Sequence, residues 1–450
     1  MTPKLARLPS PGRPPHHFNG CDTGHWIRQP ECLNLLSRTC MPPSPTAKAP
    51  SLSATAERIH QLDVLRGVAL LGILIMNMIS FGLPGVHYLN PTAEGPLEGL
   101  DHIAFLFSEV FASEKFMGLF SVLFGAGVVL FTDRVRSKGK SEAAWHYRRN
   151  LWLLLFGLAH AYLLWSGDIL VTYAVCSLWL FFFRGWSVRG LLIAAGTFLG
   201  LLMATNVFFG LSIPYWAPRD VDGLRAFWTP DAESIAREVT AFRGSWWEQM
   251  SERIPNSLAF QTELMPFTAP RATGMMLLGM ALYKAGVLTG QRDRRWNGRL
   301  ALIGLALGTL ISGFGVWQNE LAGWTVEYSF FQGGQFRTLG MVPMVLGYIG
   351  AVLWLCEGRM GAWMERRLAP VGRMALTNYL TQTMLATTVM YGHGFGWFAT
   401  MGRAELWLVI LPIWGLQIAW SSWWMKRFRF GPFEWLWRTA TYWTAQPMRR

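Results

Sequence analysis

Two residues beside one predicted turn have the types and spacing needed for acid–base chemistry. His160 stands five residues before the Trp-Ser-Gly turn at 165–167, and Asp168 follows that turn. If the turn joins two antiparallel helices, the Asp168 carboxylate can orient the imidazole through one ring nitrogen and leave the other as a general base. The alternative is structural: Asp168 caps the second helix and His160 binds a nearby carbonyl group. We take the pair as the candidate catalytic residues, with both roles open.

Charged residues also lie at the ends of apolar segments. Asp63 and Arg66 are three residues apart, which places them on one face of a helix. They either form an ion pair that fixes the helix end or anchor an anionic headgroup. Arg337 opens a later apolar segment, where it either binds an anion or extends its side chain to the membrane interface.

A polar stripe follows Arg373 in the segment GRMALTNYLTQT. Its members are spaced as neighbours on a helix, and they are Thr377, Asn378, Thr381 and Gln382. Side chains of this kind must face other helices or water rather than lipid. Interhelical hydrogen bonding is one role for Asn378 and Gln382, and lining a substrate path is the other.

Neither a metal site nor a nucleotide site is predicted. Cys21, Cys32 and Cys40 lie in a polar N-terminal segment, and Cys176 and Cys356 lie within apolar runs, without metal-ligand spacing. The glycine-rich segments do not sit in a phosphate-binding strand–loop–helix context.

The composition indicates a membrane protein. Of 450 residues, 52% are hydrophobic and only 15% are charged, whereas soluble proteins carry about 25% charged residues. The net charge of +13 comes from short basic clusters between apolar runs, so it reflects membrane topology rather than a nucleic-acid partner. A soluble enzyme, a nucleic-acid-binding protein and a disordered scaffold are therefore excluded.

Apolar runs of about 20 residues predict an all-α, polytopic protein with about ten transmembrane helices. The second run is interrupted at Ser113, Glu114 and Lys115. The predicted spans lie near 67–86, 103–131, 150–166, 169–184, 188–210, 272–289, 298–317, 337–356, 371–391 and 404–425.

Basic clusters follow every even-numbered span, for example at 292–299 and 359–367. The loop after the first span, by contrast, has neither lysine nor arginine. Since cytoplasmic loops are enriched in these residues, both termini are predicted to be cytoplasmic.

Four regions follow from this pattern. Residues 1–56 are rich in Pro, Ser and basic residues and are expected to be a disordered leader, although a start codon placed too far upstream explains them equally well. Residues 57–210 form an N-terminal membrane half, and 211–271 an extracytoplasmic loop that either caps a site or is a solvated connection. Residues 272–450 form a C-terminal membrane half, which ends in an interfacial cytoplasmic tail.

Several motifs together resemble the YeiB-like bacterial inner-membrane proteins, whose C-terminal half is a domain of unknown function. The motifs are RIHQLDVLRGVALLGILIMN, KFMGLFSVLFGAG, HAYLLWSGDILVTYA, MMLLGMALYKAG, GRMALTNYLTQT and FGPFEWLWRTATYW. This resemblance covers almost all of 58–449 and implies a multi-pass protein of the bacterial inner membrane.

The LDVLRG motif also resembles the first helix of transmembrane acyltransferases of the heparan-glucosaminide N-acetyltransferase type. That likeness implies transfer of an acyl group from cytoplasmic coenzyme A to a saccharide acceptor. In that type the proposed catalytic histidine follows the first span closely, where this sequence offers only His87 and His102.

The sequence is compatible with two functions and with one purely structural role. In an acyltransferase, Arg66, Arg148, Arg149 and Arg373 would bind donor phosphates, acyl-coenzyme A being the donor and no other cofactor being indicated. In a transporter, the same polar groups would carry protons or an anionic solute. The third possibility is a structural membrane protein. Partners would be membrane lipid and a small-molecule or saccharide acceptor, and both a monomer and an oligomer fit the sequence.

The predicted topology can be tested with reporter fusions. A reporter joined after Arg295 should be cytoplasmic, and one placed within 225–250 should be extracytoplasmic, because basic clusters stay on the cytoplasmic side. Paired alkaline phosphatase and fluorescent protein fusions measure this directly. The reverse pattern at either position would refute the orientation.

Overall fold

The computed structural model describes residues 60–450, and the predicted leader lies outside this range. Within it the regular secondary structure is helical, apart from an isolated antiparallel bridge between Phe428 and Arg449. The all-α prediction is confirmed for these residues.

The N-terminal part of the described chain contains nine α-helices. They are α1 His60–Gly82, α2 Gly99–Phe111, α3 Lys115–Arg136, α4 Glu142–Leu163, α5 Leu170–Leu180, α6 Val188–Ser212, α7 Pro218–Trp228, α8 Ala232–Arg243 and α9 Met250–Ala259. The predicted interruption of the second span is present, since α2 ends at Phe111 and Glu114 has a left-handed backbone with φ of 62°.

The C-terminal part continues from α9 through the π-helical turn Phe260–Leu264. Its helices are α10 Met265–Lys284, α11 Arg294–Leu321, the short α12 Val326–Tyr328, α13 Gln335–Cys356, α14 Gly361–Arg373, α15 Ala375–Met390, α16 Trp407–Arg427 and α17 Pro432–Tyr442.

Six helical segments are long and apolar enough to cross a membrane, which identifies a multi-pass membrane protein. They are His60–Gly82, Gly99–Arg136, Val188–Tyr215, Arg294–Leu321, Val326–Cys356 and Trp407–Arg427. The other four predicted spans coincide with α4, α5, α10 and α15, which do not combine the length and the apolar composition of these six segments. With 16 residues, α15 is about 24 Å long, shorter than the ~30 Å hydrocarbon core. The count of ten and the orientation therefore stay predictions.

Glycines determine how closely the helices pack. Gly125 of α3 faces the Met276 carbonyl of α10, and Gly279 of α10 faces the Val122 carbonyl of α3. A Cβ atom at either glycine would overlap that backbone oxygen. The two helices consequently meet backbone to backbone, as small residues allow in membrane proteins.

Helices α8 and α9 lie against the membrane body rather than extending freely from it. The Glu238 carboxylate of α8 accepts from the Gly85 amide at 2.9 Å, and Arg243 donates to the Phe398 carbonyl at 2.8 Å. Burial raises the pKa of Glu238 to about 7, although the Gly85 amide favours its charged form. On the predicted orientation, α8 connects the outer loop that contains Gly85 with the outer loop that contains Phe398.

The close approach of α3 and α10 yields a stability prediction. Gly125→Ala and Gly279→Ala should each lower the melting temperature, since overpacking costs about 1–3 kcal/mol. Gly127→Ala is the matched control on α3, because a Cβ there would have no described atom within 4 Å. Thermal denaturation of the purified protein in one detergent measures all three, and a Gly125→Ala variant that melts with wild type would contradict the packing argument.

Candidate functional site

The candidate site is built at the turn between α4 and α5. The amides of Leu164 and Trp165 both donate to the His160 carbonyl at 2.9 Å, which ends α4. One turn earlier, Gly157 lets the helices meet, since its Cβ would lie 2.7 Å from the Val171 amide nitrogen. The predicted tight turn between two packed helices is therefore present.

The turn brings His160 and Asp168 into direct contact. His160 Nδ1 lies 2.7 Å from Asp168 Oδ1, and the two side chains are 0% and 1% exposed. The other carboxylate oxygen of Asp168 accepts from the Val171 amide at 2.8 Å. Asp168 thus contacts the histidine ring and also accepts a backbone amide at the start of α5.

The second ring nitrogen of His160 is held by a residue that the sequence argument missed. His160 Nε2 lies 2.9 Å from Thr383 Oγ1 of α15. Because a carboxylate only accepts, Nδ1 carries the proton of the neutral ring, and Nε2 accepts from the Thr383 hydroxyl. The result is a carboxylate–imidazole–hydroxyl series, the same order of groups as in a Ser-His-Asp triad.

Aromatic rings and a surface helix enclose this series. The rings of Tyr379 and Trp165 lie 5.0 and 6.2 Å from the His160 ring. Above the turn, Ser257 of α9 donates to the Ala161 carbonyl at 2.9 Å, and the nearly fully buried Arg253 donates to the Leu163 carbonyl at 3.2 Å. The Arg253 charge is favourable there, because it faces the C-terminus of α4. The site is therefore closed on the side of α9.

The predicted polar stripe joins α15 to its neighbours. Asn378 donates to Ser421 Oγ of α16 at 2.9 Å, and Gln382 donates to Gln417 Oε1 at 2.8 Å and to the Leu70 carbonyl of α1 at 3.3 Å. Among the described residues, Asn378 Oδ1 and Gln382 Oε1 have no hydrogen-bond partner.

Four of the predicted arginines are positioned by a carboxylate, by aromatic rings or by backbone. Arg66 pairs with Asp63 at 3.1 Å, and Arg373 donates to the Arg429 carbonyl at 3.5 Å. The guanidinium groups of Arg148 and Arg149 stack on aromatic rings, namely Trp145 and Trp443 for Arg148 and Phe131 and Trp437 for Arg149. Trp437 belongs to α17, so the tail helix packs against this basic end.

Glu434 of α17 was also missed by the sequence argument. Its carboxylate accepts from the Leu376 amide at 2.6 Å and from the amide and hydroxyl of Thr377 at 3.0 and 2.6 Å. It therefore caps the N-terminus of α15, the helix that carries Thr383. Burial raises the pKa of Glu434 even though its bonds to Thr377 favour the charged form.

Arg337 belongs to a second buried charge cluster. It pairs with Glu109, while Glu114 pairs with Arg271. The fully buried Lys115 donates to the Glu109 carbonyl at 2.8 Å. A cavity of about 10 Å³ lies beside Lys115 and Arg337. This volume accommodates about one water molecule.

Other histidines also contact polar residues. His87 lies 2.6 Å from Glu94, His102 lies 3.3 Å from Glu320, and His393 lies 3.2 Å from Gln249. Burial lowers the pKa of both His87 and His393. Across residues 60–450, His, Cys, Asp and Glu form no group of three or more that could hold a metal ion.

Comparisons with known proteins agree with the motif resemblance. Residues 282–444 match the family model described as Protein of unknown function (DUF418). The chain is 34% identical over 399 residues to the uncharacterized protein YeiB of Escherichia coli (strain K12), covering 87% of this chain and 98% of that protein. It is 30% identical over 417 residues to the uncharacterized protein YxaH of Bacillus subtilis (strain 168), covering 88% of this chain and 97% of that protein.

The Glu434 cap gives a testable prediction about how α15 is held. Glu434→Ala should lower the melting temperature, because each buried donor left without an acceptor costs about 1–3 kcal/mol. Glu365→Ala is the matched control, since Glu365 is an exposed carboxylate on neighbouring α14. Hydrogen exchange should also become faster at Leu376 and Thr377 in the Glu434 variant alone. Unchanged exchange there would exclude the cap.

Proposed function

We propose that this chain, which belongs to the same family of membrane proteins as YeiB and YxaH, is an integral-membrane acyltransferase. It would move an acyl group from a cytoplasmic coenzyme A thioester to an acceptor on the extracytoplasmic side of the bacterial inner membrane. The observation that carries the proposal is the buried Asp168–His160–Thr383 series.

The series provides the elements of general base catalysis. A carboxylate that accepts from Nδ1 fixes the tautomer and raises the basicity of Nε2. The Thr383 hydroxyl occupies the position from which a hydroxyl donates to Nε2. An acceptor hydroxyl or amine that displaces the Thr383 hydroxyl from Nε2 would be oriented for deprotonation.

The proposed reaction is a direct transfer. His160 Nε2 takes the proton of the acceptor hydroxyl as its oxygen attacks the thioester carbonyl. The new C–O bond forms, the C–S bond breaks, and the proton passes from the imidazolium to the departing thiolate. Asp168 remains ionised throughout and stabilises the imidazolium.

The basic end and α15 support a path for the donor. Arg66, Arg148, Arg149 and Arg373 would bind the donor phosphates, because guanidinium groups match phosphate geometry. Asn378 and Gln382 lie on α15 between Arg373 and Thr383, and their side-chain oxygens have no partner within 60–450. They can accept from the amide groups of a pantetheine arm.

A transporter is the second candidate, and the Lys115 cluster favours it. Buried ionisable groups in membrane helices commonly mark ion or proton pathways. Lys115, Glu109 and Arg337 surround a cavity that accommodates about one water molecule. In that function the cluster would carry the solute or proton, and His160 with Asp168 would be a structural pair.

The acyltransferase proposal predicts a specific pattern of variants. His160→Ala should reduce acyl transfer by roughly 10²–10⁴-fold, the usual contribution of a general base. Asp168→Asn should reduce the rate by no more than His160→Ala does. The double variant should have the same rate as His160→Ala, because both changes affect one proton transfer. Release of free thiol from acetyl-coenzyme A by membrane vesicles with mixed saccharide acceptors measures the rate.

Two controls separate chemistry from packing in that experiment. His60→Ala changes an exposed histidine at the start of α1, which is not a candidate residue, and should leave the rate unchanged. Activity per folded protein is obtained from the amount of protein eluting as a single species in detergent. If the activity of His160→Ala falls only in proportion to folded protein, His160 is a packing residue and this catalytic assignment is wrong. If Lys115→Met abolishes solute uptake while His160→Ala does not, the transporter is correct.

A further inference from the structure

An open apolar groove lies where α16 ends and α17 begins. Its volume is about 490 Å³. The side chains that line it are Trp424, Pro432, Phe433, Trp435, Leu436 and Met448. The indole N–H groups of Trp424 and Trp435 donate to the carbonyls of Phe430 and Gln446 at 2.9 and 2.7 Å. Both tryptophans thus offer the groove carbon surface rather than a hydrogen-bond donor.

A basic rim accompanies the groove. Within 420–450 the chain has six basic residues and one acidic residue, Glu434, whose carboxylate is bound to α15. The basic residues, all exposed, are Lys426, Arg427, Arg429, Arg438, Arg449 and Arg450. We call these six residues the basic rim.

Backbone pairing holds the basic rim beside the apolar groove. The Arg429 amide donates to the carbonyl of the groove residue Met448 at 2.9 Å, and the Arg450 amide donates to the Arg427 carbonyl at 3.2 Å. The Arg427 guanidinium stacks on Trp423 at 4.5 Å. The two backbone bonds therefore hold Arg427, Arg429 and Arg450 close to the groove residue Met448.

We propose that this groove binds one acyl chain of an anionic phospholipid, whose phosphate lies against the basic rim. Basic clusters next to the end of a transmembrane helix attract anionic headgroups, and exposed apolar grooves mark binding surfaces. The groove follows directly on the spanning segment Trp407–Arg427. On the predicted orientation, the lipid comes from the cytoplasmic leaflet. The site is independent of the acyltransferase proposal.

A bound lipid would connect α16 to α17, because the groove is lined by both helices. Helix α17 in turn caps α15 through Glu434. Anionic lipid is therefore expected to stabilise the end of α15 that leads to His160, whether or not the protein is an enzyme.

The test compares lipids on the purified full-length protein. Phosphatidylglycerol added to detergent-solubilised protein should raise the melting temperature, whereas phosphatidylcholine should not. The double variant R427Q/R429Q should bind phosphatidylglycerol roughly 30-fold more weakly in a native mass spectrometry titration, since each basic residue near a membrane surface contributes about 1 kcal/mol. R366Q/R367Q is the matched control, because these two arginines are exposed on α14 and lie outside the groove.

Other outcomes would overturn the site. Equal stabilisation by phosphatidylcholine would show that charge has no part in binding. Equal stabilisation by inorganic phosphate would identify an anion site without an acyl chain. Binding of long-chain acyl-coenzyme A, with none of phosphatidylglycerol, would assign the groove to the donor. Unchanged lipid affinity in L436Q, which keeps the rim but adds a polar group to the groove, would exclude the groove itself.

Discussion

A buried imidazole and a buried carboxylate in an apolar helix bundle each need a polar partner, and here they satisfy one another. The His160–Asp168 contact of 2.7 Å determines much around it. It requires a tight turn between α4 and α5, which Gly157 makes possible by letting the helices touch. The second imidazole nitrogen then needs its own hydrogen-bond partner, which is the Thr383 hydroxyl of α15. The pair and the Thr383 hydroxyl thus connect three helices.

The same constraint explains the other polar contacts of the membrane body. Arg337 pairs with Glu109, and Lys115 is held by a backbone carbonyl next to the break between α2 and α3. Arg253 donates to the Leu163 carbonyl at the C-terminal end of α4, where a positive charge is favourable. Each charge is placed where a carboxylate, a helix end or a carbonyl can compensate it.

Sequence reasoning succeeded where the determining contacts are local. His160 and Asp168 are eight residues apart, and Asp63 and Arg66 are three apart, so helix and turn geometry was enough to pair them. Thr383 and Glu109 could not be paired in this way, because 223 and 228 residues separate them from His160 and Arg337.

The apolar runs located the helices well, but hydropathy does not distinguish lipid contact from protein contact. The predicted spans 169–184 and 371–391 coincide with α5 and α15, which have 11 and 16 residues, and the count of ten spans stays a prediction. Tyr379 and Thr383 are four residues apart and therefore lie on one face of a helix. That spacing could have identified Thr383 as a neighbour of the site.

The shortness of α15 has a geometric consequence for any reaction at His160. Thr383 is eight residues from Ala375, where the helix begins, so about 12 Å of helix separates the histidine's hydroxyl partner from the capped end. That end is capped by Glu434 of α17. A flexible substrate arm entering beside the cap would therefore travel less than half of the ~30 Å hydrocarbon thickness to reach the imidazole. On the proposed function, a tethered thioester would therefore not need to be as long as the bilayer is thick.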